Sequence, residues 1–125
     1  MQRLVAMVAL STFLYGCATE QDRYQWNLTH AFVCPKARRL SPSDLDQIAR
    51  ALAHATRQVA VQIGPPAGAD PMQRLFVLTA YRGAEQSESR DSYGACELRK
   101  ESDGWHIVDC ATDLSPSLWH MMGCL

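Results

Sequence analysis

The chain has 125 residues, 12 basic against 13 acidic, for a formal charge of −1 at neutral pH. A balance this near neutrality lacks the basic face that nucleic acid requires, so no nucleic-acid partner is expected. With 47% hydrophobic residues it also falls outside the composition of disordered chains.

Residues 1–16 read as one unit. The amino terminus and Arg3 carry positive charge, and Leu4 to Tyr15 is apolar apart from Ser11 and Thr12. A run of about a dozen residues is short of the roughly 20 that a membrane-spanning helix needs. It suits the apolar core of an export signal. The following Leu14-Tyr15-Gly16-Cys17 resembles the lipobox of bacterial lipoproteins: an aliphatic residue, a variable one, a small one, then cysteine. That resemblance implies a signal peptide over 1–16 and lipidation, including palmitate-type acyl chains, at Cys17. Ala18 after the cysteine implies sorting to the outer membrane, on its periplasmic side. Several acyl chains hold a protein firmly at a membrane where one does not. Removing residues 1–16 from 125 leaves 109 residues, with one basic residue, Arg3, lost. That is enough for one compact domain.

From Ala18 to His30 the chain is polar with scattered aromatics, and residues 17–30 are expected to form the lipidated end and a tether. The Asn27-Leu28-Thr29 sequon carries no weight in a bacterial envelope. A single α+β domain is expected over 31–125. Ala31-Phe32-Val33 begins it, and Cys34-Pro35 closes that piece ahead of Lys36-Ala37-Arg38-Arg39. The next stretch predicts a helix over 42–57. Ser41 or Ser43 can cap it, Pro42 suits its first turn, and Asp44 and Asp46 favour the positive end of its dipole. Leu45, Ile48, Ala49, Leu52 and Ala55 or Thr56 recur at helical spacing.

Three to four strands follow, predicting one main helix against a curved antiparallel meander. Val59, Val61 and Ile63 alternate as in a half-buried strand, and Gly64-Pro65-Pro66 ends it. Leu75 to Tyr81 is apolar on both faces and is expected at the centre of the sheet. Gly83 to Ser92 is a polar loop, and Tyr93–Glu101 and Trp105–Thr112 are the last strands. Leu118-Trp119 with Met121-Met122 reads as a short C-terminal helix packing on the sheet.

The four cysteines after Cys17 are Cys34, Cys96, Cys110 and Cys124. In an oxidising compartment they imply two disulfides, with three possible pairings. Ser102-Asp103-Gly104 fits a three-residue hairpin loop with Gly104 in the left-handed position. That loop sets Glu101 opposite Trp105 and Cys96 opposite Cys110, on the face of Leu98 and Val108. Cys96–Cys110 is therefore expected, and Cys34–Cys124 by elimination. On a loop-closure model the first contributes about 3 kcal/mol and the second somewhat over about 4 kcal/mol. Residues 96–109 (CELRKESDGWHIVD) resemble the closing hairpin of cystatin-like and nuclear-transport-factor-like folds. These folds wrap a meander around a helix and host binders and enzymes alike, so the resemblance implies a fold and no activity.

No catalytic arrangement stands out, and an enzyme is not expected. There is no Ser/His/Asp order, phosphate loop or zinc motif. Glu97 and Asp109 would face each other across the hairpin, but Arg99 would neutralise them. His30, His54, His106 and His120 share no metal-ligand spacing, so no metal or cofactor is expected. His120-Met121-Met122 is a soft donor set suited to Cu(I), yet it reads more simply as core, with Cys124 claimed by a disulfide. The expected function is a non-catalytic envelope lipoprotein that binds another envelope protein as an assembly or targeting factor. In size, tether and disulfide-bonded domain it resembles pilotins, the small lipoproteins that escort secretins. The alternative is a small-ligand binder with a pocket lined by Phe76, Leu78 and Trp105.

Overall fold

A computed structural model of the protein describes residues 19–82 and 93–112. The expected tether differs from what forms there. Thr19 opens a helix, α1 (Glu20–His30), with a capping box. Its side chain accepts from the Asp22 backbone N–H (3.1 Å), and Asp22 Oδ2 accepts from the Thr19 N–H (3.3 Å). The helix has almost no apolar stripe: Tyr24 alone packs into a small apolar cluster with Ala49 and Ala53, and polar anchors supply the rest. Asn27 is buried and donates from Nδ2 to the Ala49 carbonyl (3.1 Å), while its Oδ1 accepts from the Ala60 N–H (2.8 Å). The Arg23 guanidinium donates to the Ala53 carbonyl (2.8 Å), and the Tyr24 hydroxyl donates to Asp46.

After a two-residue strand, β1 (Phe32–Val33), a 3-10 turn over Pro35–Ala37 leads to α2 (Pro42–Ala55). Ser41 is the cap, again with a capping box, its hydroxyl accepting from the Asp44 N–H at 3.1 Å. The expected stripe is buried at Ile48, Ala49 and Leu52, with Ala53 joining it, while Ala55 is exposed. Fully burying Ile48 and Leu52 contributes about 1.5–3 kcal/mol each. The helix ends two residues before the expected 57 because Thr56 turns extended, its N–H still reaching the Leu52 carbonyl (3.0 Å).

The sheet holds β2 (Val59–Gly64), β3 (Arg74–Ala80), β4 (Tyr93–Glu101) and β5 (Gly104–Thr112) in the order β1-β2-β3-β4-β5. The last four form the antiparallel meander, with β3 central as its two apolar faces require. Because β1 adds parallel to β2, the sheet is mixed and five-stranded rather than wholly antiparallel with three or four strands. A transverse row of Val33, Ile63, Val77, Cys96 and Cys110 runs across the face beneath α2. In β2 a register shift leaves Val61 without a partner between Ala60 and Gln62. Ala60 and Ile63 therefore face the core, and Val61 does not take the inward place that simple alternation gives it.

The final hairpin pairs the expected cysteines by a different route. Its loop is two residues, Ser102-Asp103, so Glu101 faces Gly104 and Lys100 faces Trp105. Gly104 sits at φ +127°, a conformation that favours glycine. Carried on unbroken, that register would put Cys96 opposite Asp109 and turn Cys110 to the other face. A shift between Glu97 and Leu98 corrects it: Val108 is the extra residue, and Cys96 meets Cys110. The two are disulfide-bonded with Cα atoms 4.1 Å apart. Ile107 takes the core position opposite Leu98 that alternation assigns to Val108, and Val108 is 48% exposed.

One disulfide, not two, is found among the described residues. Cys34 is fully buried, but its expected partner Cys124 lies outside them. Outside them too lie residues 1–16, Cys17, residues 83–92 of the expected polar loop, and the segment of the expected C-terminal helix with His120. No helix among the described residues is long and apolar enough to cross a membrane.

Candidate protein-binding groove

Where the C-terminal half of α1, the inward-facing stripe of α2 and the β1–β2 edge meet, they leave an apolar cleft of about 180 Å³. Leu28 and Ala31 line it from α1 and the turn after it, Leu45 and Leu52 from α2, and Val33 and Ile63 from the sheet. Leu28 is 41% exposed, a large apolar side chain at the opening. Asn27 also lines the cleft, but both ends of its amide are occupied by Ala49 and Ala60, so it offers little for polar recognition. Pockets that enclose a drug-sized ligand usually run about 300–1,000 Å³. This cleft instead has room for about two aliphatic side chains of another chain, the kind of anchor that peptide-in-groove recognition uses.

The segment between the lining residues Val33 and Pro42 folds tightly, with Ala37 N–H bonding the Cys34 carbonyl (2.8 Å) and Leu40 N–H the Ala37 carbonyl (3.2 Å). Ala37 and Leu40 are buried in the core, which leaves Lys36, Arg38 and Arg39 exposed. No ion pair joins any of the three to another described residue.

The polar clusters elsewhere are chiefly structural. Asp44, beneath the start of α2, accepts from Lys100 Nζ (2.6 Å) and Trp105 Nε1 (3.1 Å) at Oδ1, and from the Ser41 N–H (3.0 Å) and hydroxyl (2.9 Å) at Oδ2. The Lys100 ammonium, helped by Ser41 and Trp105 against the pull of burial, holds this carboxyl well below the usual carboxylate range. The cluster ties the helix start to the β4–β5 hairpin. Glu97 and Asp109 do face each other, but the cation on Glu97 is Arg74 of β3 (Nε to Oε1 2.7 Å), not the expected Arg99. Arg74 reaches it from across β3–β4, whereas Arg99 pairs in register with His106.

At the hairpin tip Glu101, Asp103 and His106 bring one donor atom each to within 4.8 Å of one another, all exposed. The Asp103 carboxylate, bonded to His106 Nε2 at 2.6 Å, raises the imidazole's affinity for its proton. His54 pairs with Glu20 (2.8 Å), and His30 stacks on Trp26 with ring centroids 3.7 Å apart.

Phe76, Leu78 and Trp105 do not share a pocket wall. Trp105 belongs to the core under α2, while Phe76 and Leu78 alternate with Leu75 and Val77 and point to the other side of β3. The groove residues went unread in the sequence because Asn27 and Leu28 sit on α1, in the stretch read as a tether. One signal was available: Thr19-x-x-Asp22 is a helix start, and it places Leu28 on a helix rather than in a tether. The chain matches no family model, no curated protein and no solved structure.

Proposed function

We propose that the protein is a non-catalytic envelope lipoprotein that grips a short apolar segment of another envelope protein, as an assembly or targeting factor does. The carrying observation is the α1–α2–sheet cleft: apolar, open at Leu28, and sized for side chains rather than for a whole small molecule. The lipobox-like Leu14-Tyr15-Gly16-Cys17 supports the membrane half of the reading, with Cys17 as the lipidated residue, 1–16 as the export signal and the outer membrane as the site. A second disulfide, Cys34–Cys124, belongs to the same proposal, since the oxidising compartment that this location implies favours pairing of the remaining cysteines.

Two measurements test it. Cys17→Ser should move the protein from the membrane to the soluble fraction of the envelope, and unchanged fractionation sinks the anchor. Affinity capture from that envelope should recover one dominant partner with the native chain and lose it with Leu28→Asp. Recovery of the same proteins by both chains removes the groove from the account.

A further inference from the structure

The start of α1 and the end of α2 form one end of the domain, and the mouth of the groove lies toward the other. The helices run antiparallel: Arg23 reaches the Ala53 carbonyl (2.8 Å) and His54 pairs with Glu20 (2.8 Å), while Leu28 meets the cleft beside Pro42 and Leu45 at the start of α2. The sheet contributes to the first of these ends. Gln58 N–H bonds Thr56 Oγ1 (3.1 Å), which holds Arg57 between α2 and β2, and Val59 pairs with Ala80, which brings Tyr81 and Arg82 alongside. The Arg82 guanidinium in turn lies 4.5 Å over the Trp26 ring of α1. Arg57, Tyr81 and Arg82 are all exposed, Tyr81 at 48%. The described carboxylates there are engaged, Glu20 by His54 and Asp22 by the Thr19 cap, whereas neither arginine forms an ion pair with a described residue.

Resting on the reading of Cys17 as the lipidated residue, we infer that this end of the domain is a membrane-contact surface: Arg57, Tyr81 and Arg82 sit on the headgroups of anionic phospholipid, and the groove opens away from the bilayer. Only Ala18 separates Cys17 from Thr19, the residue that caps α1. Two residues span at most about 7 Å, so the start of the fold is held at the bilayer surface with no tether between. Leu28 stands a further nine residues along the chain, about 14 Å of helix. Lying flat, α1 would place Gln21, Gln25, Leu28 and Thr29 on the lipid, an exposed face with no Lys or Arg and a single large apolar residue. Standing on its end, the domain offers an aromatic side chain and two cations free of carboxylates, the groups that favour a headgroup layer. The groove then takes its partner from the aqueous side, so the segment it grips lies outside the membrane.

The test uses the full lipidated protein, extracted and reconstituted into vesicles of anionic phospholipid that carry a nitroxide on a fraction of their headgroups. A fluorescent amino acid is incorporated at position 81 or at position 28, and quenching by the nitroxide reports its height above the bilayer. The ~14 Å between the two levels should make quenching at 81 roughly threefold stronger than at 28. Charge reversal with R57E/R82E should lower the quenching at 81 roughly twofold, as should vesicles of zwitterionic phospholipid with the same label. Both arginines are exposed, and an unchanged melting temperature confirms the fold. Equal quenching at the two positions, stronger quenching at 28, or none at either overturns the inference. Indifference of position 81 to both the charge reversal and the lipid charge overturns it too. The mass of the extracted protein separates this inference from the reading beneath it. Acyl chains on Cys17 together with the wrong quenching leave the anchor standing and remove this surface, whereas a protein without acyl chains removes both.

Discussion

Replacing Asp44 with alanine should be among the most destabilising single changes outside the apolar core. Asp44 is 6% exposed and serves both as the reciprocal partner in the Ser41 capping box and as the acceptor for Lys100 and Trp105. Losing the cap interaction costs about 1 kcal/mol. Leaving the buried Trp105 indole N–H without an acceptor costs about 1–3 kcal/mol. Lys100, whose side chain is 31% exposed, regains water and adds little. The expected loss is about 3 kcal/mol, a large part of the roughly 5–10 kcal/mol that a domain of this size has. Urea unfolding followed by circular dichroism measures it. Because the carboxyl's proton affinity is depressed in the folded state, its contribution is complete above the unfolded value near pH 4 and is lost as pH falls below it. Asp44→Asn should be milder, at about 2 kcal/mol, and should flatten stability against pH below about 4. A loss under about 1 kcal/mol for the alanine variant, or an unaltered acid limb for Asn, would refute the argument.

Three further outcomes follow from the same contacts. Asn27→Ala leaves the Ala60 N–H unpaired and unpins α1 from α2 and β2, so a loss of about 2–3 kcal/mol and faster amide exchange across 20–30 are expected; exchange unchanged in α1 would count against the anchoring role. Breaking Cys96–Cys110 with paired alanines, across a separation of 14 residues, should cost about 3 kcal/mol, read by urea unfolding of the variant against the oxidised native chain. Deleting Val108 removes the bulge and not the pairing, since the shortened strand still sets Cys96 opposite Cys110. The deletion chain should form that disulfide, and its absence from a non-reducing peptide map would contradict the register.

What could be read from the sequence depended on whether a signal was local. Ser41-Pro42-Ser43-Asp44 announces the start of α2, and Ile48, Ala49 and Leu52 announce its buried face, because caps and helical periodicity lie within a few residues. The apolar Leu75–Tyr81 run places β3 at the centre for the same reason. The hairpin cysteines were paired correctly on the wrong loop: a shorter turn moved the register one residue one way, and the Val108 bulge moved it back. No local pattern reports two such irregularities. The helix α1 escaped because it docks through Tyr24 and Asn27, and polar anchors leave no hydrophobic period. Asp44 was legible as a helix-end carboxylate, whereas its bonds to Lys100 and Trp105 come from strands more than 50 residues away.

The central claim is that the α1–α2–sheet groove is where a partner sits, and crosslinking from single positions tests it most directly. A photoreactive amino acid at position 28, at the mouth of the groove, is compared in the native envelope with one at position 108, no less exposed but on the β5 edge. One discrete adduct is expected from position 28 and none of that mass from position 108. No adduct from position 28, or the same adduct from both, contradicts it.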